Sequence, residues 1–98
     1  MNESMETYSK RDTIDAMAEE TGFTKKDLEV MYNALANVIL DTARDHNKFF
    51  MRGILSITPY VRKATQRRNP QNGQIVDVPE KPALRIRPGR LLREAVEG

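Results

Sequence analysis

Apolar residues recur at helical spacing in the first half of the chain and alternate with polar ones in much of the second. Ile14, Met17 and Ala18 mark one face of a helix. Ser9 is a suitable N-cap for it, Asp12 favours the helix dipole in its first turn, and Gly22 stops it after Thr21. Leu28, Met31, Leu35, Val38 and Ile39 form a second stripe of i, i+3, i+4 type. With Thr24 as cap and Asp27 three residues on, this predicts a helix from about Lys25 to Arg44. The link 22–24 is short, so the two helices form an αα-hairpin. Met17, Met31 and Met51 read as core fillers.

The period changes after Asp45-His46-Asn47. Phe49, Phe50 and Met51 read as a short strand and Gly53 as a turn, and the stretch from Ile54 to Arg68 is β-rich. Asn72-Gly73 is a strong hairpin signal, with Pro70 in an early turn position that suits its fixed φ. On the return strand Leu84 and Ile86 alternate with Arg85 and Arg87, giving one apolar and one cationic face. Pro88-Gly89 ends that strand, and Leu91, Leu92, Ala95 and Val96 fit a short closing helix. The expected fold class is α+β, in the order α-α-β-β-β-α. Residues 1–8 form a flexible extension and 9–98 a single domain: a helical hairpin over 9–47, a β-sheet over 48–87 with an arm at about 60–81, and a C-terminal helix over 88–98. The eight residues 61–68, at about 3.3 Å each, span roughly 25 Å, more than the thickness of a small core. A lone two-stranded ribbon is marginal in water, so the arm is expected to project and to order fully against a partner.

Ninety-eight residues make one small domain that buries little surface by itself, which favours an oligomer. The formal net charge is +2, but it is unevenly spread. Residues 1–50 hold 6 Lys/Arg against 10 Asp/Glu; residues 51–98 hold 10 against 4. An acidic body thus carries a basic working surface. There is no cysteine, which removes disulfides, thiolate metal sites and a cysteine nucleophile. No apolar run approaches the roughly 20 residues of a membrane span, and MNESMETYSK has no signal-like core. A cytoplasmic protein is expected.

The arm concentrates the chemistry. Arg62, Lys63, Arg67 and Arg68 lie along it, with Asn69 and Gln71 at its tip. Cations on an extended ribbon neutralise phosphates and release condensed counterions. Amide side chains hydrogen-bond base edges or sugars, and a ribbon is thin enough to enter a DNA groove. Pro70 at the tip is a rigid apolar wedge that can push between base pairs. The plain alternative is ordinary turn chemistry, which uses Pro and Asn-Gly in proteins of every kind.

"RRNPQNGQ" followed by "IRPGRLLREAV" resembles the HU/integration host factor family of bacterial histone-like DNA-binding proteins. The resemblance covers about Ser9 to Val96 and includes "IDAMAEETGFTKKD" and Gly53. It implies an intertwined dimer with a helical base and two long β-ribbon arms embracing the minor groove of double-stranded DNA. It implies a nucleoid-associated architectural protein that bends DNA mainly without sequence specificity. Arg68, Asn69 and Pro70 match the family's tip, with Pro70 as the intercalating wedge, and Arg62 matches a basic arm position. Lys10, Lys25, Arg90 and Arg93 fall where the family often has basic residues on the body. Arg85 and Arg87 are further candidates there, and Gln71 and Gln74 complete the expected DNA contacts. A homodimer is expected, with a heterodimer left open.

The chain departs from the family pattern in several places. Ile54, Ile57 and Ile86 replace usual phenylalanines, with Phe49, Phe50 and Tyr60 expected to compensate in the core. Leu55 replaces a glycine at a strand bend. Gln74 and Asp77 stand where lysines are common, while Lys63 and Arg67 are gained nearby.

No catalytic residue, metal site or cofactor is expected. His46 has no neighbouring ligand or nucleophile in the sequence, and Asp41 and Asp45 read as a solvated helix face. No Gly-rich phosphate loop occurs. Two rivals stay open: a module of this fold that binds RNA or an acidic protein without bending DNA, and a nuclease.

Overall fold

The structure, a computed structural model, describes residues 5–98. Of the expected N-terminal extension, residues 1–4 lie outside the described residues, and 5–8 carry no helix or strand. Two compact units divide the chain, one ending at Ile39 and the other spanning Leu40–Gly98.

Helix α1 spans Lys10–Thr21 and α2 spans Lys25–Arg44. Ser9 and Asp12 form a reciprocal capping box, and Gly22 closes α1 with φ 78°. The Thr24 hydroxyl accepts from the Asp27 amide at 3.2 Å. Within the first unit Lys25 pairs with Asp15 at 3.0 Å, and Lys10 donates to Asn33 at 2.8 Å. Ile14 on α1 and Leu28 on α2 are the two buried apolar side chains among the described residues. The rest of the α2 stripe is not a core in the single chain: Met31 is 48% and Leu35 43% exposed. Met31 is therefore no internal filler, and Met17 and Met51 are only half-buried. One short chain offers too little apolar surface to cover the whole of that stripe.

The β-region is divided more finely than expected. It holds β1 (Phe49–Met51), β2 (Leu55–Arg62), β3 (Thr65–Arg68), β4 (Ile75–Val78) and β5 (Lys81–Pro88), followed by α3 (Arg90–Glu97). These form a three-stranded sheet, β1-β2-β5, and a two-stranded ribbon, β3-β4. The two share one register: moving outward from the Arg62–Lys81 pair by three residues on each strand reaches Thr65–Val78, so no bulge intervenes. The expected unbroken strand 61–68 nevertheless lapses at Lys63-Ala64.

The prolines explain the lapse. Pro59, Pro82 and Pro88 pair with Leu84, Val61 and Leu55, all in one alternate phase of the ladder. That is the phase in which antiparallel partners exchange no N–H···O bonds, so a missing donor is tolerated. The same register carried outward sets Pro79 opposite Ala64 in the bonded phase, where its missing N–H breaks the pairing.

Gly89 seats α3. Its amide donates to the Ile54 carbonyl at 2.7 Å, and the Leu91 and Leu92 amides both donate to the Gly53 carbonyl at 2.9 and 3.1 Å. A Cβ on Gly89 would lie 2.6 Å from the Gly53 oxygen and 2.7 Å from the Ile54 nitrogen, so no other residue fits. Leu55, at the usual glycine position, simply begins β2 opposite Met51 and Pro88.

Candidate nucleic-acid interface

Strand alternation and the observed register sort the three-stranded sheet into two unlike faces. Phe49, Met51, Ile57, Val61, Leu84 and Ile86 share one face, which is wholly apolar. Phe50, Tyr60, Arg62, Lys81, Arg85 and Arg87 share the other, together with Ser56, Thr58 and Ala83. All four cations of these strands are on that second face, and the strands contain no Asp or Glu. Arg62 stands directly opposite Lys81. Like charges facing each other across a ladder destabilise a sheet, so this face is built for an anionic partner rather than for its own stability. The Arg85 guanidinium lies over the Tyr60 ring, 4.8 Å from its centroid.

This sorting corrects the expected repacking. Phe49 joins Ile57 and Ile86 on the apolar face, whereas Phe50 and Tyr60 lie on the cationic one. Phe50 is 64% exposed and fills no core.

The outer ribbon has a different plan. Thr65, Arg67, Val76 and Val78 share one face, and Gln66, Arg68, Ile75 and Asp77 the other. Each face thus carries one arginine, and β3 is exposed throughout. Asp77 is engaged by the Gln66 amide at 3.0 Å across the ladder.

The turn is fastened from within. The Asn69 amide donates to the Gln74 carbonyl at 2.7 Å, and the Gly73 amide to the Asn69 carbonyl at 2.8 Å. The side-chain oxygens of Asn69 and Asn72 accept from the Gln71 and Gln74 amides, both at 2.9 Å. Gly73 supplies the left-handed φ of 73°. The Arg68 guanidinium donates to the Gly73 carbonyl at 3.2 Å. Pro70 and Gln71 stand exposed at the apex. The Asn69 side-chain oxygen thus helps to hold the turn.

The remaining expected residues are more dispersed. Lys63 lies in the ladder's lapse. Arg90 pairs with Glu94 at 3.0 Å, and Arg93 is exposed on the same helix. Lys10 and Lys25 belong to the first unit and are engaged in the pairs given above. Asp41 is paired with Arg44 at 2.6 Å. His46 takes the left-handed conformation, φ 59°, at the end of α2, a backbone role that accounts for it. Sequence reasoning passed over Lys81, although counting back from the Asn72-Gly73 turn would have set it opposite Arg62. Among the described residues no helix is long and apolar enough to cross a membrane.

The family profile for "Bacterial DNA-binding protein" matches residues 8–97. DNA-binding protein HRL53 of Rhizobium leguminosarum is 32% identical over 90 residues, covering 92% of this chain and 99% of that protein. DNA-binding protein HU 1 of Bacillus subtilis is 30% identical, covering 92% and 98%. Transcription factor 1 of Bacillus phage SP01 is 27% identical, covering 92% and 91%. The Anabaena HU–DNA cocrystal structure superposes with a TM-score of 0.72 at 28% identity, covering 90% of this chain and 96% of that one. The cationic ribbon with its proline-led turn thus stands within a match spanning nearly the whole molecule, and the chain belongs to the HU family of bacterial DNA-binding proteins.

Proposed function

We propose that the protein is a non-enzymatic architectural DNA-binding protein that holds duplex DNA with its β-ribbon arms and bends it. One observation carries this reading: four cations and no carboxylate on one face of the sheet, with Arg62 opposite Lys81 at the root of the arm. Such a face is at ease only against a polyanion. Arg67 and Arg68 extend the positive charge to the tip, where Pro70 is the wedge. Kinks of this kind, known for minor-groove architectural proteins including the HU and integration host factor group, run roughly 20–90°. Unstacking costs about a few kcal/mol per step and is offset by phosphate contacts along the bent duplex.

The working unit is a homodimer. Val61, Leu84 and Ile86, all on the sheet's apolar face, are 53%, 56% and 63% exposed in the single chain. A second copy would cover them, and paired arms would grip both sides of one site. Such a protein acts at the nucleoid. The test is duplex binding by fluorescence anisotropy at two salt concentrations, with double-stranded RNA as competitor. Tight binding at low salt that weakens steeply as salt rises, and that RNA displaces poorly, is the expected result. Salt-insensitive binding, or preference for RNA, would refute it.

A further inference from the structure

We infer that the cationic face of the three-stranded sheet is also a stacking platform for single-stranded nucleic acid, a site separate from the wedge at the arm's tip. Duplex phosphates need charge alone, yet this face carries two aromatic rings as well. Phe50 on β1 and Tyr60 on β2 point to the same side as Arg62, Lys81, Arg85 and Arg87. Phe50 is 64% exposed although it is one of the largest apolar side chains in the molecule.

A cation lies over each ring: the Lys48 ammonium 6.0 Å from the Phe50 centroid, and the Arg85 guanidinium 4.8 Å from that of Tyr60, so that a base at Tyr60 meets the guanidinium plane backed by the ring. An open sheet with aromatic rings and interleaved cations suits unpaired bases. A base stacks on a ring or on a guanidinium plane, and the neighbouring charge meets its phosphate. Phe50 is opposite Ser56, and Tyr60 is four residues further along the same strand. At about 3.3 Å per residue this separates the rings by roughly 13 Å along the sheet, enough to place them under different bases of one extended strand. Paired bases in a duplex hide the surfaces these rings would meet, so the platform would select unpaired strands. The shared ligand chemistry is an unpaired base on a phosphodiester chain, of either sugar.

The test uses the full chain with labelled oligodeoxyuridine and oligouridine, which differ in the sugar alone, each of about 12 nucleotides, a length within the roughly 4–16 typical of sheet-borne single-strand sites. The more tightly bound of the two identifies the sugar. Phe50→Leu and Tyr60→Leu should each weaken that binding by about fivefold or more, the lower end of one base–aromatic stack. Tyr60→Phe, which keeps the ring, should bind as wild type does. Phe50→Leu should leave thermal stability unchanged, because the side chain is exposed, and should weaken duplex binding far less than single-strand binding, because it removes no charge. Pro70→Ala should leave single-strand binding unchanged. The inference is overturned if both leucine variants bind the single strand like wild type, or if wild type binds neither oligonucleotide at low salt. Duplex binding is read separately, so failure here would leave the architectural function standing.

Discussion

From Leu55 to Arg62 and back from Lys81 to Pro88, the hairpin keeps apolar and cationic side chains on opposite faces. From Thr65 to Arg68 and back from Ile75 to Val78, in the same register, it mixes them. The inner segment therefore has an inside and an outside. Its apolar face asks for a protein partner and its cationic face for a polyanion. The outer ribbon has neither: an arginine stands on each face, and no layer of protein covers it. A single pair of strands thus changes from a wall into a probe, and the change falls at Pro79, where the ladder lacks a donor.

The largest effect should come from breaking the inner sorting. Ile86→Asp puts a carboxylate on the apolar face. Burying an isoleucine is worth about 1.5–3 kcal/mol, and a buried unpaired charge costs more. The variant should lose the dimer and melt far below wild type, while Arg87→Asp on the other face should still assemble. Sedimentation and melting at two protein concentrations would show both. An assembled Ile86→Asp protein would mean that the apolar face is not the interface.

Next in size is the arms' charge. Replacing Arg67 and Arg68 by alanine should reduce the slope of log K against log salt by up to about 3.6, or about 0.9 for each of the four phosphates that the two arms no longer neutralise. Replacing Arg62 and Lys81 should lower the slope in the same way and also raise thermal stability slightly, by removing a like-charge pair. The ribbon pair has no such repulsion to relieve. An unaltered slope would remove that pair from the phosphate contacts.

Pro70→Ala should separate bending from binding. Ligase-mediated circularisation of a short fragment should fall sharply in its presence while affinity changes only modestly. Equal circularisation would deny the wedge role. The smallest effect belongs to Asp77→Asn, which removes a negative charge from the ribbon while keeping a polar partner for Gln66. Duplex affinity at low salt should rise by about two- to fivefold, the size of one exposed charge pair. A fall would show that the carboxylate supports the arm.

Local signals made much of this legible in the sequence. The caps at Ser9 and Gly22 and the span Lys25–Arg44 follow from side-chain chemistry within a few residues. The Leu84-Arg85-Ile86-Arg87 alternation already contained the two faces. What escaped depends on register or on a partner. The lapse at Lys63-Ala64 requires knowing which phase Pro79 occupies. Lys81 matters because of what stands opposite it. Phe50 reads as core by composition, yet pleat parity puts it outside. That the Asn69 side-chain oxygen braces the turn shows only once the Gln71 amide is placed against it. The stripe at Met31 and Leu35 is apolar whether or not one chain covers it, and only the folded chain shows that it does not.

The most direct test of the central claim is energy transfer between dyes on the two ends of a duplex, followed as the wild-type protein is titrated at low salt. A cationic arm ending in a wedge predicts saturable binding with a shortened end-to-end distance that recovers as salt is added. Saturable binding with the distance unchanged would mean that the arms hold DNA without bending it, and the architectural account would be wrong.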